Sequence, residues 1–230
     1  MAIFGAAWHY LRRLMAQIPD AAPPPPASPK EAFTLSKHRI EGLSDGLFAI
    51  VMTLLVLDLK VPELEGHVGG RDLLHALSSN WRVFFSLCVT FCLAAVYWFI
   101  QQRIFAAMRA VDRASMFFSL ASMLFVSLLP FAAAVFGRYS NNPTALALYF
   151  GDQFGIALFL ALLWWRTLRT NNLVEMAKAD QTRMSVRVNS LAVAAFAAAL
   201  LAIYKPEYGA FGFIGVLLGG RLYRRTILHL

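Results

Sequence analysis

Six apolar stretches, most of them near the roughly 20 residues a helix needs to cross a hydrocarbon core, run along the chain. They lie at about 40–61, 82–102, 114–136, 145–165, 186–204 and 208–222. The connections between them are short, so the pattern predicts an all-α membrane protein with six transmembrane helices and no separate soluble domain. On this division residues 38–226 form the membrane domain and 227–230 a short tail. Residues 1–37 precede them as a segment of their own. Within that segment Phe4, Trp8, Leu11 and Met15 share one face of a possible interfacial helix, flanked by Arg12 and Arg13. Residues 21–30, AAPPPPASPK, read as an extended proline-rich linker.

Smaller signals refine the elements. The loop at 62–79 is polar and glycine-rich, with a short helix expected at its end. Pro143 after Asn141 and Asn142 marks the start of the fourth span. The fifth span is mostly alanine, which lets helices approach closely. Gly151 with Gly155 and Gly215 with Gly219 have the spacing of small-residue helix contacts. No internal repeat stands out, which weakens an inverted-repeat transporter reading.

Composition and charge agree with a bilayer solvent. Charged residues make up 15% of the chain, well below the quarter or so of soluble domains. The net charge of +8 raises nucleic acid as a partner, but its distribution speaks against one. With six spans drawn, 16 of the 21 lysines and arginines fall on one side. The positive-inside rule makes that side cytoplasmic, puts both termini there and requires an even number of spans. Cys88 and Cys92 lie four apart in the second span with nothing nearby to complete a metal site. The five histidines are scattered, so neither a zinc enzyme nor a resident cofactor has support.

The first span carries the candidate chemistry. Rotating 100° per residue from Ile50 gathers Leu43, Gly46, Ile50, Thr53, Leu54 and Leu57 within about 100° of arc. Glu41, Ser44 and Asp45 lie on the other side. A charge near the centre of a bilayer costs about 2.5–3.5 kcal/mol on insertion scales, so these polar groups need partners. The expected arrangement has the Ser44 and Asp45 face bonded to helices of its own subunit and the Ile50 stripe meeting copies of itself or a lumen. By periodicity alone such a stripe reads as packing more often than as a pore, with Thr53 bonding back to the Ala49 carbonyl and Asp45 a partner of Arg39 or Arg113.

The stretch from Arg39 to Pro62 resembles the signature of the transmembrane protein 175 family, the endosomal and lysosomal potassium channels with short prokaryotic relatives. The hallmark is arginine, three residues, then Phe-Ser-Asp. Here the order is Arg39, Ile40, Glu41, Gly42, Leu43, Ser44, Asp45, with leucine in place of the phenylalanine. Trp98 followed by Gln101 and Gln102 is similar to the family's Trp-x-x-His-His, and Pro130-Phe131 and Gly137-Arg138-Tyr139 resemble the end of its third span. The likeness covers roughly residues 38–140.

This resemblance implies a homotetramer of six-helix subunits around a pore lined by the first helix. Ile50, Leu54 and Leu57 would form its hydrophobic neck, and Thr53 a layer that favours potassium. Arg39, Ser44, Asp45, Trp98, Gln101 and Gln102 would form the signature's polar network. The chain has no Thr-Val-Gly-Tyr-Gly filter, so selectivity would arise at the neck. The expected protein is a potassium-permeable channel of a bacterial inner membrane, in contact with lipid. It uses no enzyme chemistry, cofactor or resident metal, since potassium passes only transiently. Two rivals remain at this point: a proton-coupled transporter working through Asp45 and Glu41, and a non-conducting membrane scaffold.

Overall fold

A computed structural model of the chain describes residues 37–61, 69–170 and 172–204. Six α-helices follow one another in this part: α1 (Lys37–Leu54), α2 (Gly70–Ser79), α3 (Trp81–Ala107), α4 (Arg113–Arg138), α5 (Pro143–Arg169) and α6 (Lys178–Tyr204). A single 3-10 turn, Leu55–Asp58, continues α1. Five of these, α1 with its 3-10 turn and α3 to α6, are long and apolar enough to cross a membrane. They correspond to the first five expected spans, and α2 is the short helix expected before the second. The sixth stretch, the N-terminal segment with its linker, and the Gly215–Gly219 pair lie outside the described residues.

Helix boundaries follow local chemistry. α5 starts where expected: Pro143 takes the first helical position, and Asn142 caps it by accepting the Thr144 N–H at 2.9 Å. α4 is capped by Asp112, whose carboxylate accepts the Ser115 N–H at 3.0 Å. The first span differs from its expected course. It leaves α-helical geometry after Leu54 and ends at Asp58 rather than at 61, with Leu59 already extended and Pro62 close behind.

Burial along α1 shows which way the helix faces. Ile40, Ser44, Phe48, Val51 and Leu55 are buried, a four-and-three spacing that makes one face. That face packs on α3 and α4. Elsewhere α5 packs extensively on α6 and α4. The alanine face of α6, with Ala194, Ala195, Ala198 and Ala202 fully buried, brings it close to α5. Of the Gly151–Gly155 pair, only Gly155 marks a close approach. A Cβ there would run into the ring of Phe125 on α4, whereas one at Gly151 would meet nothing. Gly137 plays the same part between α4 and α3, facing Val83 and Ser86.

The two ends of the bundle are tied differently. At the basic end the chain after α3 meets the chain after α5 in one antiparallel bridge between Met108 and Leu173. Arg109 N–H donates to the Asn172 carbonyl at 2.9 Å and Val174 N–H to the Ala107 carbonyl at 2.9 Å. The Asn172 side chain bonds both main-chain groups of Ala110. Arg166 of α5 adds two hydrogen bonds, 2.7 and 3.1 Å, onto one oxygen of Asp112. At the far end Arg138 of α4 pairs with Asp58.

Candidate functional site

α1 is fastened to its own subunit at three heights. At its start, Lys37 Nζ donates to the Met108 carbonyl at 3.0 Å. Near its middle, Asp45 accepts from Trp98 Nε1 at 2.8 Å and from Gln102 Nε2. Trp98 and Gln102 are four apart on α3 and so present one edge to a single carboxylate. At its end, Asp58 takes the Arg138 guanidinium. Every fastening lies on the buried face or its flanks.

The residues between those flanks are left open. Leu43 is 54% exposed, Ile50 57%, Leu54 42% and Leu57 74%, and Gly46 and Thr53 are exposed with them. This is the whole stripe gathered from the 3.6-residue period. The 3-10 turn changes its far end. Three residues at 120° each return Leu57 over Leu54, whereas an α-helix would have carried it about 60° away. The rise from Ile50 to Leu57 becomes about 12 Å, with four α steps and three longer 3-10 steps.

Thr53 Oγ1 donates to the Ile50 carbonyl at 2.7 Å, one residue nearer than the Ala49 carbonyl anticipated from sequence. The bond occupies the hydroxyl proton and leaves the oxygen lone pairs on the exposed side of the helix. A cation passing that side would meet an acceptor.

The polar residues of the signature divide among three surroundings. Asp45, Trp98 and Gln102 meet, at the exposed edge of α1. Gln101, one residue from Gln102, is fully buried and donates to Ser119 of α4 at 3.2 Å. Ser44 is fully buried and its Oγ has no hydrogen-bond partner. The expected bonding of Ser44 to a neighbouring helix is thus corrected: it sits on the packing face beside Ile40 and Phe48, and the amide of Gln101 turns to Ser119. Glu41 pairs along its own helix with Lys37 at 3.7 Å and His38 at 3.3 Å. Arg39 is exposed at the start of α1, and the Asp45 carboxylate points to α3 rather than to it.

Three anchors escaped the sequence reading: Lys37 on the Met108 carbonyl, Asp58 with Arg138, and Asp112 with Arg166. Only the last had a local signal, an aspartate directly ahead of an apolar run and three residues before Ser115, which is the spacing of a helix cap. The Asp112 carboxyl is held below the usual carboxylate range. Its partial burial acts upward, and the hydrogen bonds from Ser115 and the Arg166 guanidinium outweigh it. Among the described residues no group of three or more histidine, cysteine, aspartate or glutamate side chains could hold a metal.

The family model for the endosomal/lysosomal potassium channel TMEM175 matches residues 39–130, which take in the signature stretch, α3 and most of α4. A potassium channel of Streptomyces collinus is 34% identical over 161 residues, covering 66% of this chain and 77% of the relative. A potassium channel of Chamaesiphon minutus is 32% identical over 146 residues, 62% and 71% of the two chains. The fold is similar to the crystal structure of a lysosomal potassium-selective channel TMEM175 homolog from Chamaesiphon minutus. There the TM-score is 0.64 with 26% identity, over 82% of this chain and 97% of that one.

Proposed function

The chain belongs to the TMEM175 family of potassium channels, and from that premise we propose that four copies of it enclose a potassium-conducting pore lined by α1. It is a multi-pass membrane protein and a potassium channel, not an enzyme. The reading of α1 as the pore helix rests on one observation. Its apolar stripe is open in the single subunit while the rest of the helix is fastened at three heights to α3, α4 and the chain after α3. Such a bare front is met by lipid or by copies of the same helix, and membership of a channel family favours the copies.

In such a tetramer Ile50, Leu54 and Leu57 give stacked apolar rings. An ion crossing them sheds water without receiving ligands, and a narrow apolar neck can dewet, so the rings set the barrier. Thr53 supplies a ring of four hydroxyl oxygens between Ile50 and Leu54. Potassium, with the weaker hold on its water, gains more from this partial replacement than sodium does. The sixth span then lies in the stretch 208–222, both termini face the cytoplasm, and the membrane is the bacterial inner one, in line with the 16 basic residues on that side.

The relatives favour a channel over a transporter, and in the subunit Asp45 accepts two hydrogen bonds from α3 while Glu41 is paired along its own helix. Purified protein in potassium-loaded liposomes should pass potassium down its gradient, following the imposed potential and needing no proton gradient. In planar bilayers Ile50→Ala or Leu54→Ala should raise conductance and bring the potassium and sodium permeabilities together. Thr53→Val should shift the reversal potential toward the non-selective value, and Thr53→Ser should restore it. Wild-type conductance and selectivity in all four variants, each assembling normally, would remove α1 from the pore. Silence of the wild-type protein would leave a scaffold.

A further inference from the structure

The proposed pore accounts for the apolar residues of the α1 stripe but not for the charge at its start. Arg39 is the third residue of α1 and stands eleven residues before Ile50. At 100° per residue it falls about 20° from Ile50, and it lies about 16 Å further along the helix axis. Arg39 therefore shares the face of Leu43, Ile50 and Leu54, and like them it is exposed. Its height is fixed by Lys37, whose Nζ reaches the Met108 carbonyl at the end of the bundle where the basic loops gather.

The carboxylates at this end have other partners. Glu41, on the opposite side of α1, pairs with Lys37 and His38. Asp45 accepts from Trp98 and Gln102, Asp112 holds Arg166, and Asp180 holds Arg183. Among the described residues Arg39 takes part in no ion pair. Nor does the helix gain from it. A helix N-terminus carries a partial positive charge that favours acidic side chains; the first turn of α1 holds none, and Arg39 adds a charge of the same sign. At the far end of α1 the charges are closer to balance, since Asp58 and the negative helix end stand against Lys60 and Arg138.

We propose that Arg39 determines conduction: in the tetramer its four copies form a cationic ring at the basic-side mouth of the pore, which lowers the local potassium concentration and makes entry from that side harder than entry from the other. This rests on the reading of α1 as the pore helix. A guanidinium stays charged at every accessible pH, so the ring is a fixed field that only salt weakens. The screening length is about 10 Å at 0.1 M and about 30 Å at 0.01 M salt. From Arg39 the field reaches the Ile50 ring, about 16 Å along the axis, only in dilute salt. Current entering from the basic side is therefore the smaller one, and the asymmetry fades as salt is raised.

The test records the full-length protein in planar bilayers with equal potassium chloride on both sides, at about 0.01 M and about 1 M. In dilute salt Arg39→Gln should raise the basic-side current at least about twofold and abolish the asymmetry, whereas Arg39→Lys should keep both as in wild type. At the higher salt the variants and wild type should coincide. Charge can also be added after assembly, on Arg39→Cys in a protein freed of Cys88 and Cys92. A membrane-impermeant cationic thiol reagent should lower the basic-side current and an anionic one raise it, and the side on which they act gives the orientation of the channel. Equal dilute-salt currents in wild type and Arg39→Gln would overturn the proposal, as would cationic and anionic adducts of the same effect. If Ile50→Ala and Leu54→Ala respond in the same bilayers, the pore reading survives that result; if they too are silent, the pore helix itself is misassigned. Failure of both Arg39→Gln and Arg39→Cys to assemble, with Arg39→Lys intact, would make Arg39 a tie between subunits and is equally fatal.

Discussion

Asp45 meets two donors at the edge of α1, and its exposure decides how much they contribute. Hydrogen bonds to a charged group in a dry site are worth about 1.5–3 kcal/mol. Asp45, Trp98 and Gln102 all keep contact with the surroundings in the single subunit, so each bond here should contribute about 1 kcal/mol or less. A double-mutant cycle in thermal unfolding tests the geometry. Asp45→Asn and Trp98→Phe should be coupled, whereas Asp45→Asn and Gln101→Leu should be additive, because Gln101 bonds Ser119 instead. Asp112 gives a pH prediction at the same scale. Its carboxyl is lowered in the folded chain, so the stability it lends is complete above the ordinary carboxylate value near pH 4 and is lost as the pH falls through its own lower value. Wild type should therefore lose stability in acid more steeply than Asp112→Asn, as read from melting temperature across an acid series. An identical acid dependence would show that the Arg166 contact contributes nothing measurable.

Among the elements, α4 and α5 meet where Gly155 admits the ring of Phe125. Adding a methyl group forces that ring from its place, and overpacking of this kind costs about 1–3 kcal/mol. Gly155→Ala should lower the stability of the folded subunit by that amount, and Gly155→Ala with Phe125→Leu should recover part of it. Gly151→Ala, with open space around its Cβ, should be close to neutral. The 3-10 turn after α1 is a second element with a measurable role. It aligns Leu57 with Leu54 and ends at Asp58, which Arg138 holds. Arg138→Met should free that end and loosen the proposed ring at Leu57 more than the one proposed at Ile50, seen as a larger change in flux on Leu57→Ala in wild type than in the Arg138→Met background. Equal effects in both backgrounds would dissociate the ion pair from the neck.

At the scale of the whole molecule, the proposed tetramer makes a distance prediction. Residues facing the four-fold axis come near their own copies, and a disulfide requires Cα atoms within about 7 Å. In a protein freed of Cys88 and Cys92, Leu54→Cys should form crosslinked dimers on oxidation. Val51→Cys, buried against its own subunit, should not. Crosslinking at Val51 alone would reverse the face assigned to the axis. The period of apolar residues was enough to give the five described membrane helices and the stripe from Leu43 to Leu57, because a helix must show lipid or a packed neighbour a continuous face whatever lies beyond it. The start of α5 was equally legible, since Asn142 and Pro143 act on their own backbone. The Ser44 and Asp45 arc also gave the side of α1 that turns to its own subunit, but not the partner each polar group takes. Glu41, Ser44 and Asp45 formed one polar arc in projection, yet Ser44 entered the packing, Asp45 turned to α3 and Glu41 stayed on its own helix, since the choice depends on which neighbour stands opposite. The divided fates of Gln101 and Gln102, the grip of Arg138 on Asp58, and the differing surroundings of Gly151 and Gly155 have the same origin. Periodicity fixes directions around one helix axis, and only the docking of several helices brings distant side chains to one point.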